Sequence, residues 1–364
     1  MVAGSRCRPP RSPTSRSALP PTSEGWVSAP PDPSTIDGAP AASTPAGLDP
    51  SGFFGHELLF VTGKGGVGKT TVTAALAQLA AQRGKRVLAC DIDATGGLGA
   101  MFEAGPTGFT PVQVAPGVSV MSMDTEASLR EYLKINLRVP VAGRIGPLAK
   151  AFDFVATAAP GVREILTVGK LCWEVREGHF DVVVVDAPAS GHIVSQLGAP
   201  QAINDLVKVG QIRSQTDWMI ELLSNPDRTG VIPVTTTEEM PVAETLELTG
   251  RLRNETSASA VAVVVNRVLP ELFTNRDEEV FEQLRDPATT ARLEDALGTS
   301  SDHLLEAARL AVNMRRSRAV HLQHLRDELE ASIPILLVPY FFSRVGGLRS
   351  TRQVATALAE EMGL

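Results

Sequence analysis

Residues 57–71 read Glu-Leu-Leu-Phe-Val-Thr-Gly-Lys-Gly-Gly-Val-Gly-Lys-Thr-Thr. Glu57 to Thr62 is short and apolar, which predicts a buried strand. Gly63 to Gly68 forms a glycine-rich loop. Lys69 to Arg83 then carries Val72, Leu76, Leu79 and Ala80 at helical spacing, with Gly84 as a stop. Strand, glycine loop and helix in that order satisfy the phosphate-loop pattern G-x-x-x-x-G-K-[ST] over Gly63, Lys64, Gly65, Gly66, Val67, Gly68, Lys69 and Thr70. Glycines let successive backbone N–H groups converge on phosphate oxygens, and the helix beginning near Lys69 adds its positive end. In this reading Lys69 bridges the β- and γ-phosphates of ATP, Thr70 gives its hydroxyl to Mg²⁺, and Thr71 meets the α-phosphate.

Outward from this loop the pattern continues as α/β. Arg86 to Asp91 reads as the second strand, and further buried strands are expected at Val118–Met123, Phe180–Asp186, Gly230–Thr235, Ala260–Asn266 and Ile333–Pro339. Near-continuous apolar runs of this kind suit a parallel sheet covered on both faces. Long helical stretches lie at Glu126–Glu177, Pro200–Ser224, Val242–Asn254 and Glu278–Glu330. The expected fold class is α/β: a doubly wound, mainly parallel sheet with P-loop NTPase topology and helical insertions at about 125–178 and 275–330. The domain runs over 53–364. Residues 1–52 hold 11 of the 26 prolines and show no periodicity, so they read as a disordered tail.

Composition narrows the function classes. The chain has 364 residues, a net charge of −7 and no apolar run long enough to span a bilayer, so no integral membrane segment is expected. The acidic balance argues against a nucleic-acid partner. Cys7, Cys90 and Cys172 lie far apart with no zinc or disulfide spacing, which suits a reducing cytoplasm. Cys90 is placed in a core strand, leaving Cys172 as the cysteine able to reach solvent. The arginines between Arg309 and Arg326 read as the solvated face of a helix, because Asp327, Glu328 and Glu330 follow directly.

Phosphoryl transfer to water also needs carboxylates. Asp91-Ile92-Asp93 closes the second strand, and alternation would put both aspartates on one side at its C-terminal end, where open α/β sheets bind ligands. Asp93 is the candidate that orients water, with Asp91 supporting the metal. Four valines, Val182 to Val185, lead into Asp186, an apolar strand ending in a carboxylate that would hold Mg²⁺ through a water. Gly191 follows, placed to offer a bare N–H to the γ-phosphate and so report its presence.

Lys64, just after the first glycine, resembles the second lysine of the deviant Walker A class. The Asp-x-Asp turn, the Asp186-Ala187-Pro188-x-x-Gly191-His192 run, Val264-Val265-Asn266 and the Pro160-Gly161-x-x-Glu164 segment resemble the ArsA-like ATPases. The resemblance covers residues 57 to 364. It implies a dimer, of identical chains or with a paralogous ATPase, in which Lys64 reaches the partner's nucleotide. It further implies that Asn266 hydrogen-bonds the adenine, that the segment after Pro339 closes the base pocket, and that an unidentified protein client is handled. The first switch, Asp93-Ala94-Thr95-Gly96-Gly97-Leu98, departs from the family's D-P-A-H-N-L: the proline is lost and two glycines are gained, which makes the loop more mobile. A nucleotide-binding scaffold with little turnover is therefore the alternative expectation, and a partition-type DNA-surface ATPase a weaker one.

Overall fold

The computed structural model describes residues 53–137, 161–206, 211–270, 275–284, 286–342 and 346–364. The expected tail over 1–52 and the middle of the first helical insertion lie outside the described residues.

Eight strands form one sheet in the order β3-β4-β2-β5-β1-β6-β7-β8. They are β1 (Leu58–Thr62), β2 (Val87–Asp91), β3 (Val112–Ala115), β4 (Val118–Ser122), β5 (Val182–Asp186), β6 (Thr229–Thr236), β7 (Val263–Val268) and β8 (Ile335–Pro339). Every pairing is parallel except β3 with β4. The strand β3 has no counterpart among the strands expected from the sequence. It is four residues long, half exposed at the sheet edge and bounded by Pro111 and Pro116, so it carries none of the buried-strand signal.

Strand alternation divides the core into two layers. Leu59, Val61, Ala89, Val182, Val184, Ile232, Val234 and Val264 face α1 (Lys69–Gln82), α2 (Gly97–Met101) and the C-terminal helix. Leu58, Phe60, Leu88, Cys90, Val183, Val185 and Val231 face the other layer. After α3 (Thr125–Leu137), that second layer is built by α4 (Val162–Arg176), α5 (Ser190–Leu206), α6 (Gln211–Ser224) and α7 (Glu239–Glu255). The four β5 valines are fully buried, each worth about 1.5–3 kcal/mol, so the central strand that ends in Asp186 is firmly held.

Beyond β7 come α8 (Asn275–Gln283), α9 (Pro287–Leu297) and α10 (Asp302–Glu328), then β8 and α11 (Gly347–Glu361). On α10, Arg318 pairs with Glu238 just ahead of α7. Helix α11 buries Val354, Ala355, Ala357 and Leu358, and Thr351 donates to the Met101 carbonyl at 3.1 Å. The helix expected to begin at Pro200 instead begins at Ser190 and runs through the proline. Pro200 removes one intrahelical donor and crowds the turn before it, and the apolar contacts of Ile193, Val194 and Leu197 carry the helix past it.

Candidate active site

The C-terminal ends of β1, β2, β5 and β6 meet at the phosphate loop. Val61 is the register partner of Asp186, and Thr62 that of Pro233. Thr62 Oγ1 donates to the Pro188 carbonyl at 2.9 Å, fastening the start of the loop to the segment after β5. Gly63 sits at φ +142°, and a Cβ there would stand 2.1 Å from the Val234 carbonyl oxygen, so the loop can pass β6 only without a side chain. Gly68 precedes α1 at φ +98°. No side chain caps α1 and no first-turn residue is acidic, which leaves its N–H groups and positive end to an anion.

The two loop lysines point differently. Lys69 Nζ folds back over the loop, donating to the carbonyls of Gly63 (3.2 Å) and Lys64 (3.4 Å). Lys64 reaches out of the loop and pairs with Glu244 Oε1 on α7. The other oxygen of Glu244 accepts from Ser190 Oγ at 3.3 Å, at the start of α5. Gly191 follows in the first turn of α5, exposed, with open space where a Cβ would be.

The carboxylates divide into three situations. Asp186 is buried, and its Oδ2 accepts from Thr70 Oγ1 at 2.6 Å while its Oδ1 has no partner. Burial pushes its pKa up to about 6; the Thr70 hydrogen bond and Lys69 oppose this, and Asp91 and Asp93 add to it. Asp91 is also buried, but its Oδ2 accepts from Thr95 Oγ1 (3.2 Å) and Gly96 N (3.1 Å), folding the loop after β2 back on itself. Asp93 stands exposed beyond the strand, next to Ala94 at φ +53°. Strand alternation does not set Asp93 beside Asp91, because β2 ends at Asp91.

A divalent cation suits this donor set. Asp186 Oδ1 is an orphaned buried oxygen beside the Thr70 hydroxyl, and positive charge there would offset the cost of keeping Asp186 ionised.

Thr71 Oγ1 turns to Met101 Sδ at 3.7 Å, toward α2. Asn266 is the last residue of β7 paired with β6, opposite Thr236. Its Nδ2 donates to the Val67 carbonyl at 2.8 Å and its Oδ1 accepts from Arg267 N at 2.9 Å, so it grips the phosphate loop from behind. Pro339 and Phe341 line an open groove of about 690 Å³ with Glu103, Leu348, Arg349 and Arg352. Residues 343–345, within the segment expected to close a base pocket, lie outside the described residues.

Two sequence expectations need correction or addition. Cys172, expected to be able to reach solvent, is fully buried on α4, as is Cys90 on β2. Its place at helical spacing with Val168, Leu171 and Val175 is an ordinary core pattern and accounts for its burial. Nothing in the local sequence marks Glu244. A glutamate on a helix reads as a solvated residue, and its partner Lys64 is 180 positions away.

The sequence profile of the anion-transporting ATPases matches residues 56–221 and 206–295. Among similar proteins, the ATPase BagA of Mycobacterium tuberculosis is 34% identical over 239 residues, covering 63% of this chain and 70% of that protein. The arsenical pump-driving ATPase of Escherichia coli is 27% identical over 243 residues, 60% of this chain and 40% of its own length. An ATPase ASNA1 homolog of Entamoeba dispar is 26% identical over 251 residues, 58% and 76% respectively. No helix among the described residues is long and apolar enough to cross a membrane. A phosphate loop at the head of a parallel sheet, a buried strand-end aspartate beside it, and a profile match over 56–295 agree, and this chain belongs to the anion-transporting, ArsA-type ATPase family.

Proposed function

We propose that this chain is a Mg-ATP-dependent switch ATPase that closes as a dimer around nucleotide and uses that closure to change its grip on a partner protein. The observation that carries the reading is Asp186. Its Oδ2 holds the Thr70 hydroxyl while its Oδ1 is buried without a partner at the mouth of the phosphate loop.

In this reading ATP lies along the loop, its phosphates accepting the N–H groups at the start of α1. Lys69 exchanges the carbonyls of Gly63 and Lys64 for the β- and γ-phosphates. Mg²⁺ would be held by Thr70 and through water by Asp186, and would supply charge neutralisation to the phosphates when bound. Asp93 orients the attacking water from the loop after β2. The water oxygen bonds to the γ-phosphorus as the β–γ bridging P–O bond breaks, its electron pair going to ADP and the water protons to phosphate and solvent. Lys64 acts on the nucleotide of the second protomer, a cation supplied in trans.

A protein partner is favoured over a soft anion. Cys90 and Cys172 are both fully buried, so neither offers a thiol to a soft anion. The test is steady-state ATP hydrolysis at several protein concentrations, with Lys64→Ala alongside. Turnover per chain that rises with concentration and disappears in Lys64→Ala is expected. Turnover independent of concentration, or unchanged by Lys64→Ala, sinks the dimeric reading.

A further inference from the structure

Glu244 stands where the phosphate loop, the start of α5 and α7 meet. Its Oε1 pairs with Lys64 of the phosphate loop, and its Oε2 accepts from Ser190 Oγ at the start of α5, directly ahead of Gly191. The carboxylate is presented by α7, which is anchored to the core through Val242, Thr245, Leu248 and Leu252. The holder is thus rigid, while the two groups it holds belong to a glycine-rich loop and to a helix terminus. The pair is also accessible, with the Lys64 and Glu244 side chains 34% and 30% exposed. An ion pair this open to water is weak and exchanges readily for a stronger anion.

We propose that Glu244 is a positioning residue that holds Lys64 within its own protomer, linked through Ser190 to the Gly191 turn, until a triphosphate outcompetes it. This inference rests on the reading of Lys64 as a lysine that serves phosphate across a dimer. The chemistry is an exchange of anions. The ammonium has one partner at Glu244, and it must leave that carboxylate to meet the more highly charged phosphate chain of a second protomer. Glu244 therefore competes with the dimer for Lys64 and sets the threshold at which closure occurs. Ser190 extends the control: movement of α5 removes the hydrogen bond to the second oxygen and loosens the hold on the lysine.

The experiment uses the full chain and Glu244→Gln, which keeps the side-chain shape and removes the charge, with Ser190→Ala as a milder second variant. Two readouts are taken. The first is the rate at which an amine-acetylating reagent labels Lys64 in nucleotide-free protein, followed by mass spectrometry. The second is the protein concentration giving half-maximal ATP turnover. Glu244→Gln is expected to raise Lys64 labelling several-fold and to lower the half-maximal concentration 3- to 10-fold, with Ser190→Ala moving both less in the same direction. In a Lys64→Ala background, where turnover is lost, Glu244→Gln is expected to restore none of it.

Unchanged Lys64 labelling in Glu244→Gln overturns the proposal. So does an unchanged or raised half-maximal concentration while Lys64→Ala is inactive. Turnover restored by Glu244→Gln in the Lys64→Ala background shows that Glu244 acts by another route, and overturns it too. Lys64→Ala turning over like the unaltered chain removes the parent reading of the lysine, and the proposal with it. Thermal melting of each variant separates these outcomes from loss of fold.

Discussion

Asp91 and Asp186 are register partners at the C-terminal ends of β2 and β5, two buried carboxylates side by side with different obligations. Asp91 is committed to its own loop through Thr95 and Gly96, whereas Asp186 keeps one oxygen without a partner. The fold thus stores a cost at Asp186 that a ligand can relieve. Because burial raises its pKa to about 6, above the unfolded value, the folded chain takes up a proton more readily than the unfolded one. The penalty is full above pH 6 and fades as pH falls toward 4.

Asp186→Asn should therefore stabilise the ligand-free protein at pH 8 by about 1–3 kcal/mol, the order expected for a shift of roughly two pK units. The gain should shrink steadily between pH 6 and pH 4. The same variant should lose the Mg²⁺-dependent part of its ATP affinity. Urea unfolding at pH 8 and pH 5, with ATP titrations with and without Mg²⁺, checks both halves. A variant destabilised at pH 8 would show that the carboxylate contributes more to the fold than its burial costs.

A second buried charge is structural. Lys170 on α4 pairs with Glu174 (2.7 Å) and with Glu131 of α3 (2.6 Å), and its ammonium lies 4.8 Å from the centre of the Phe109 ring. Lys170→Met leaves Glu174, 6% exposed, without its main cation. That change should cost about 3–5 kcal/mol, whereas Lys170→Met with Glu174→Leu should cost far less, because replacing a whole buried pair by apolar groups is often near neutral. Equilibrium denaturation of the single and double variants decides it. Equal losses would mean that packing, not charge, dominates there.

The buried thiols make a third case. Burial pushes the Cys172 thiol up to about 12 and raises the Cys90 thiol as well, so neither presents thiolate at neutral pH. Alkylation of Cys90 and Cys172 should proceed only as fast as the protein unfolds, and should accelerate in step with urea. Rapid labelling of either in native buffer would contradict the packing of β2 or α4.

Local motifs made the phosphate loop, the helix at Lys69 and the β5–Asp186 unit legible in the sequence, because each lies within a run of about ten residues whose apolar spacing is unambiguous. Relationships across the chain were not legible. Glu244 meets Lys64 only because α7 returns over the loop, and Thr351 reaches Met101 across 250 positions. Asp91 could be recognised as a strand-end carboxylate, yet its commitment to Thr95 and Gly96 depends on how the following loop folds. Helix α5 was misplaced because Pro200 is a strong local signal that tertiary packing overrides.

Gly63 gives the sharpest steric prediction. It sits at φ +142°, and an added Cβ would meet the Val234 backbone oxygen at 2.1 Å, with no flexible side chain to yield. Gly63→Ala should cost roughly 3 kcal/mol or more and displace the loop from β6. Gly65→Ala, where nothing lies within 4 Å, should fold like the unaltered chain. Thermal melts of the two variants side by side would expose an error in the loop's path if they were equally stable.

Asn266 tests whether the base end and the phosphate end of the site are separate. Its side chain gives one N–H to the Val67 carbonyl and accepts from Arg267 N, so in this fold it supports the phosphate loop from behind. If that support matters, Asn266→Ala should weaken binding of tripolyphosphate, which has no base, as well as ATP. Losing one buried hydrogen bond of about 1 kcal/mol corresponds to roughly 5-fold in affinity. A loss confined to ATP, with tripolyphosphate unaffected, would instead assign Asn266 to the adenine alone. The distinction is chemical, because the Asn266 amide carries two N–H donors: one is held by Val67, and the other is available to a base. An equal loss for both ligands is therefore the outcome expected if loop support dominates, and calorimetric titration of both against the variant measures it directly.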